Sequence, residues 1–293
     1  MRITKTAKGS ETLAGLLFIL PASLVFIFLR IVPALMVIYY SFTEFSILKP
    51  PVWIGLTNYL NLVGDKKFLL SLENSFLFTL GTVIPSAIIG LFFAIFLNKK
   101  IIGVGFYRAI YYMPQVVSWV AISMIWIYLL NPSYGVINWL LSMVGIQKAQ
   151  WLFDTDLALI SIVFISIWRS VGYNVVIYLA GLQGLDESLY EAAEVDGCNA
   201  LQKFWFLTLP LLKPVTTYII VVTSIFSLQA FDQIYVLTAG GPADSTVTAV
   251  FSVWRQAFQY GRMGYASAQS VVVFILIAVI TLISLKLLER NSR

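Results

Sequence analysis

Six long runs of apolar residues organise the chain: Leu13–Tyr40, Asn74–Leu97, Ile110–Leu130, Leu157–Leu182, Val215–Leu237 and Ala266–Leu285. A helix needs about 20 apolar residues to cross the hydrocarbon core of a bilayer, and each run is long enough. The pattern predicts an all-α membrane protein with six transmembrane helices, over about 13–40, 74–97, 110–130, 157–182, 215–237 and 266–285. The first run is too long for a signal peptide, and no small-residue cleavage site follows it. Turn chemistry agrees at two span ends, Asn131-Pro132-Ser133-Tyr134-Gly135 and Ala239-Gly240-Gly241-Pro242, because glycine and proline end helices. Pro21, Pro33, Pro85 and Pro114 fall inside spans and predict kinks within a packed bundle. No repeat or linker divides residues 1–293, which read as one transmembrane domain.

Composition supports the membrane reading. Of 293 residues 59% are hydrophobic and 11% charged, against about 25% charged in soluble domains. With the N-terminus placed inside the cell, the inside segments hold eleven basic residues: Arg2, Lys5, Lys8, Lys99, Lys100, Arg108, Lys203, Lys213, Lys286, Arg290 and Arg293. The outside segments hold six: Lys49, Lys66, Lys67, Lys148, Arg255 and Arg262. The excess predicts both termini in the cytoplasm. The net charge of +5 is therefore read as topology and not as nucleic-acid binding. There is no histidine and one cysteine, Cys198, which excludes a disulfide within the chain and argues against a metal centre.

One inside loop, residues 184–213, departs from the basic trend. It carries Asp186, Glu187, Glu191, Glu194 and Asp196 against Lys203 and Lys213. Its sequence predicts two short helices. Asp186 or Ser188 caps the first, with Ser188 and Glu191 spaced as a capping box. Gly197 supplies the left-handed residue that ends it, Asn199 caps the second, and Pro210 stops it. At about 100° per residue, Glu187, Glu191 and Glu194 share a stripe opposite Leu189, Ala192 and Ala193. The small alanines admit a close approach by a second surface. A helix resting on lipid usually carries lysine and arginine on its polar face, and this one is acidic, which favours docking to a protein.

The motif Glu191-Ala192-Ala193-x3-Gly197-x9-Leu207-x-Leu209-Pro210 resembles the EAA loop of permease subunits in binding-protein-dependent ABC importers, with leucine at 207 in place of the common isoleucine. Further stretches are similar to the carbohydrate-type permeases, the maltose and glycerol-3-phosphate branch, and to the first of its two paired permeases. They are Tyr40-Ser41-Phe42-Thr43-Glu44, Ala180-Gly181-Leu182-Gln183, Leu237-Thr238-Ala239-Gly240-Gly241-Pro242 and Gly261-Arg262-Met263-Gly264-Tyr265-Ala266. The resemblance implies that the loop couples the spans to a cytoplasmic ATPase dimer through Glu191, Ala192, Ala193, Gly197, Leu207 and Pro210. It also implies a second homologous permease, an extracytoplasmic solute-binding protein, and import of a sugar or polyol by alternating access in a bacterial or archaeal inner membrane. The chain itself is then no enzyme and holds no cofactor: ATP belongs to the partner, and Gly240-Gly241 lacks the lysine of a phosphate loop.

Polar side chains at bilayer depth mark candidate sites. At ~1.5 Å per residue, Tyr173 and Asn174 lie roughly 12–14 Å deep in the fourth span, and Ser227 and Gln229 roughly 18–21 Å deep in the fifth. With Phe231 they supply the neutral hydrogen-bonding groups and aromatic faces that a sugar needs. In maltose-type permeases these two spans form much of the site, so the resemblance implies a substrate pathway at Tyr173, Asn174, Ser227, Gln229 and Phe231. The plain alternative is that the polar groups only join helices. Arg169 should find a carboxylate, a carbonyl or water at that depth. Asp232 lies close in depth and is one candidate partner, with a charge-pair gate or an anionic-substrate contact as sharper readings. Arg30 is expected to snorkel outward. The outside segment 245–265, with Trp254, Arg255, Phe258 and Tyr260, either receives the binding protein or lies on the membrane. A secondary transporter would show titratable residues in its spans and an inverted repeat, and a membrane-embedded enzyme would show a catalytic cluster. The spans hold two arginines and one aspartate near a span end, with no repeat and no catalytic cluster; a scaffold would leave the acidic two-helix loop unexplained.

Overall fold

The computed structural model describes residues 4–98 and 103–289. They are mostly helical. Helix α1 comprises Thr4–Phe26 and Val32–Ser41, joined by a π-helical turn at Ile27–Ile31. A hairpin follows, β1 (Thr43–Ser46) and β2 (Lys49–Trp53), then α2 (Thr57–Gly64), α3 (Lys66–Leu97), α4 (Val104–Val116), α5 (Trp119–Leu129) and α6 (Val136–Met143). Next come α7 (Leu157–Gln183), α8 (Glu187–Val195) and α9, which runs Ala200–Lys203, a π turn Phe204–Thr208 and Leu209–Leu211. The chain continues through α10 (Lys213–Leu228), α11 (Asp232–Leu237), α12 (Ala249–Trp254, extended by a π turn Arg255–Gln259) and α13 (Met263–Glu289).

Four of these helices are long and apolar enough to cross a membrane: Gly15–Ser41, Lys66–Leu97, Leu157–Gln183 and Met263–Lys286. Two further candidates are bent pairs. The segments of α4 and α5 meet at 97°, and those of α9 and α10 at 61°. The predicted third span is thus broken at Val117 and Ser118, where Ser118 caps α5 by accepting from the Ala121 N–H. The predicted fifth span ends at Leu228 and restarts at Asp232. Apolar composition cannot reveal such breaks, since the hydrophobic run passes straight through them. The hairpin is a departure from the all-α expectation. It pairs Thr43 with Trp53 and Glu44 with Val52, and Trp53 stacks on Phe42 with centroids 5.4 Å apart. Of the basic residues counted toward the inside, Arg2, Lys99, Lys100, Arg290 and Arg293 lie outside the described residues.

The contacts divide the chain into two compact units, residues 1–64 with 253–272, and residues 65–252 with 273–293. In the first, Asn58 donates to the carbonyls of Ser41 at 3.0 Å and Thr43 at 2.9 Å. Tyr59 donates to Ser41 Oγ at 2.7 Å. Gly264 lies against the same corner: a Cβ there would stand 3.0 Å from the Phe45 nitrogen and strike the Thr43 carbonyl. Two of the family-like stretches therefore meet face to face.

The second unit is built on α3 and α7, packed together and against α10. The buried side of α3 carries a row of small groups, Ser71, Ser75, Thr79, Thr82, Ser86, Gly90 and Ala94, beside Phe68, Phe78, Val83 and Leu97, while Leu77, Leu80, Ile84, Ile88 and Phe92 point out. A row of small groups inside and large apolar ones outside suits a helix solvated by hydrocarbon, where close backbone approach drives association. Asn174 of α7 donates to Ser86 Oγ at 3.1 Å across this interface. Below it Tyr178, Leu179, Leu182, Leu212 and Ile219 close an apolar core. The segment after α11 is tied to α3, with Asn74 donating to the carbonyls of Asp244 at 3.2 Å and Val247 at 3.1 Å.

Candidate functional site

The helix breaks gather polar groups around a cavity of about 400 Å³, within the usual range for a small-molecule pocket. One turn of α3 contributes Phe78 and Thr82, and the α4–α5 break contributes Gln115 and Trp119. Helix α7 presents Ser166, Arg169, Ser170 and Tyr173. The end of α10, the interruption after it and the start of α11 supply Thr223, Phe226, Ser227, Gln229, Ala230, Phe231, Asp232 and Gln233. Four of the five predicted pathway residues, Tyr173, Ser227, Gln229 and Phe231, thus share one cavity. The Tyr173 and Tyr218 hydroxyls lie 3.2 Å apart, and Phe231 stacks on Tyr235 with centroids 5.6 Å apart.

Asn174 is placed elsewhere. One position past Tyr173 is about 100° around the helix, and it turns the amide into the α3 interface, fully buried against Ser86 and Gly90. At this position the helix-joining role is the one realised. Arg169 and Asp232 both line the cavity, yet they form no direct ion pair. The Arg169 Nη2 donates to the carbonyls of Gln115 at 3.1 Å and Val117 at 3.3 Å, and the guanidinium lies 4.5 Å over the Trp119 ring. The break in α4–α5 frees backbone carbonyls, and the Arg169 guanidinium takes two of them. Sequence reasoning missed Gln115, Trp119 and Thr82; the Pro114 kink was the one available signal for the first two.

A second group of predicted residues lies on α8 and α9. Asp186 caps α8, its Oδ1 accepting from the Ser188 N–H at 3.0 Å, so Ser188 is not the cap. Gly197 has φ +80°. The Cys198 N–H reaches the Ala193 carbonyl at 2.9 Å in a Schellman closure. Asn199 and Gln202 form a reciprocal capping box at the start of α9. Pro210 does not stop that helix. Its missing N–H falls after the π turn, where Leu209 N–H already reaches back to Phe204, and the bend follows at Leu212.

Two contacts bind the pair of helices into one body: Lys203 Nζ to Glu194 Oε1 at 2.6 Å, and the Tyr190 hydroxyl to Thr208 Oγ1 at 3.0 Å. Glu194 is therefore engaged inside the chain, which leaves Glu187 and Glu191 on the acidic stripe. The ammonium of Lys203 holds the Glu194 carboxyl below the usual carboxylate range, and hydrogen bonds from Ser188 do the same to Asp186. Glu191, Ala192 and Gly197 are all exposed, as are Val195 of α8 at 89% and Phe206 of α9 at 81%. Nothing lies within 4 Å of where a Gly197 side chain would begin.

Residues 86–293 match the family described as the binding-protein-dependent transport system inner membrane component. Among curated proteins, the trehalose/maltose transport system permease protein MalF of Thermococcus litoralis is 36% identical over 290 residues, covering 97% of this chain and 96% of that protein. The probable ABC transporter permease protein YesP of Bacillus subtilis is 35% identical over 281 residues, 94% and 90% of the two chains. The sn-glycerol-3-phosphate transport system permease protein UgpA of Agrobacterium fabrum is 31% identical over 240 residues, 82% of each. In fold, the chain is similar to a chain of a bacterial ABC transporter involved in the import of the acidic polysaccharide alginate, with TM-score 0.86, 22% identity and complete coverage of both.

Proposed function

The chain belongs to the family of binding-protein-dependent transport system inner membrane components, and from that premise we propose that it is a sugar- or polyol-conducting subunit of an ATP-driven importer. In this reading the spans number six, with α4–α5 counted as one and the fifth running through α10 and α11 while α9 stays in the cytoplasmic loop, and both termini lie in the cytoplasm. The α8–α9 body then faces an ATPase dimer. A second homologous permease completes the pore, and an extracytoplasmic binding protein delivers the solute. ATP is held by the partner, and this chain does no chemistry of its own.

The observation that carries the reading is the connection between the two groups of residues. Helix α7 runs from the cavity at Tyr173 to Gln183, ten residues or about 15 Å, and leads into α8. Helix α10 starts two residues after α9 and returns to the cavity at Ser227 and Gln229. Force on the α8–α9 body is thereby delivered to two walls of the cavity at once. Closure of an ATPase dimer around it, biased by ATP, would move those walls as rigid rods between inward- and outward-open arrangements. The small exposed surface at Ala192 and Gly197 fits a cleft, and Glu191 offers it a carboxylate.

Gly197→Arg tests the coupling. Arginine is forced into the left-handed φ of +80° that Gly197 adopts, and its bulk enters an exposed position with nothing within 4 Å of the new Cβ. The complex is expected to insert and assemble, to hydrolyse ATP, and to lose substrate-dependent transport. Normal transport by an assembled complex carrying Gly197→Arg would refute the coupling role.

A further inference from the structure

We propose that Asp232 is a charge filter of the cavity, which selects neutral, hydroxyl-rich ligands over anionic ones; the inference rests on the cavity being the substrate site. The cavity is lined by two charged side chains, Arg169 and Asp232. Their availability is opposite. Arg169 is committed to the fold: Nη2 gives its hydrogens to the Gln115 and Val117 carbonyls, and the flat face rests on Trp119. Its Nε is buried without a partner. A carboxylate or phosphate grips arginine two-handed, through adjacent N–H groups. Here each such edge includes a nitrogen already spent or enclosed, so the cation is not offered to an anion.

Asp232 is exposed and makes no hydrogen bond or close ion pair among the described residues, its interaction with Arg169 being electrostatic without contact. It accepts hydrogen bonds and donates none. A sugar hydroxyl can donate to it in a charge-assisted bond. An anion brings lone pairs and a like charge to Asp232. The Arg169 guanidinium, which already interacts electrostatically with Asp232 and has given its Nη2 hydrogens away, has no paired N–H edge to offer in exchange. A cationic ligand gains from Asp232 but meets the fixed guanidinium. The balance leaves a neutral polyhydroxylated molecule. Similarity alone does not decide this, since relatives and fold neighbours are named for neutral disaccharides, for a phosphate ester and for an acidic polysaccharide.

The test uses the assembled importer in lipid nanodiscs, with Cys198→Ser removing the native thiol and Gln229→Cys reporting occupancy of the cavity through maleimide protection. The probes are trehalose and maltose, and their uronate counterparts with a carboxylate replacing one hydroxymethyl group. Neutral sugars are expected to protect at least tenfold better than the uronates, and Asp232→Asn to erase most of that ratio while Asp232→Glu keeps it. An unchanged ratio in Asp232→Asn, or better protection by uronates in the Asp232 protein, overturns the filter and leaves the cavity standing. Protection by neither class overturns the cavity itself as a saccharide site.

Discussion

Gly90→Ala probes the interface on which the cavity depends. A Cβ at position 90 would stand 2.6 Å from the Asn174 Cβ, whereas carbon atoms rest at about 3.5–4.0 Å. Helices α3 and α7 must therefore part by about 1 Å. The Asn174–Ser86 hydrogen bond, 3.1 Å long, would stretch to about 4 Å and be lost. Overpacking costs about 1–3 kcal/mol and a hydrogen bond between membrane helices about 0.6 kcal/mol. Alanine recovers about 1 kcal/mol of helix preference, so a net loss of about 0.6–2.6 kcal/mol is expected. Equilibrium unfolding in mixed micelles would measure it. Truncating the opposing residue to alanine would not help, because the clash is with Cβ. Asn174→Gly removes that atom, and the double variant should recover about 1 kcal/mol or more relative to additivity. Strict additivity, or a neutral Gly90→Ala, would mean that the two helices do not touch there.

Two further outcomes follow from the same geometry. Arg169→Lys replaces a planar fork with a point charge and should release the Gln115 and Val117 carbonyls and the stacking on Trp119. Loss of charged hydrogen bonds of this kind costs about 1.5–3 kcal/mol, and amide exchange at residues 117–121 should rise; unchanged exchange would refute the clamp. The Glu194 and Asp186 carboxyls are held low in the folded loop. A depressed folded value means that their contribution is complete above the ordinary carboxylate range and fades as pH falls through the lowered values. The α8–α9 tether should therefore loosen in acid, below about pH 4, as followed by exchange of the Gly197 and Cys198 amides. Glu194→Gln should remove the Glu194 part of that pH dependence, and an unaltered profile would rule the tether out.

The membrane class and most span positions were legible because hydrocarbon demands long apolar runs, and these run through Leu13–Tyr40 or Leu157–Leu182 without ambiguity. The two-helix loop was legible because caps are local: Asp186, Gly197 and Asn199 act within three residues of themselves. The breaks at Val117 and at 229–231 were not, since both halves of each span are equally apolar. The small-residue row Ser86-x3-Gly90-x3-Ala94 would have identified the α3 contact face, and it points at the partner that Asn174 found.

The chain by itself determined that helices form, which ones suit a bilayer and where the acidic loop folds, because hydropathy and capping depend on neighbours in sequence. The tertiary structure decided what the polar residues within spans are for. Tyr173 and Asn174 are adjacent and equally deep, yet one lines the cavity and the other is enclosed between α3 and α7. Arg169 met carbonyls set free by a bend in another helix before it could meet Asp232. In a medium without water every polar group takes the partner that packing brings within reach, and which partner that is depends on how helices distant in sequence cross.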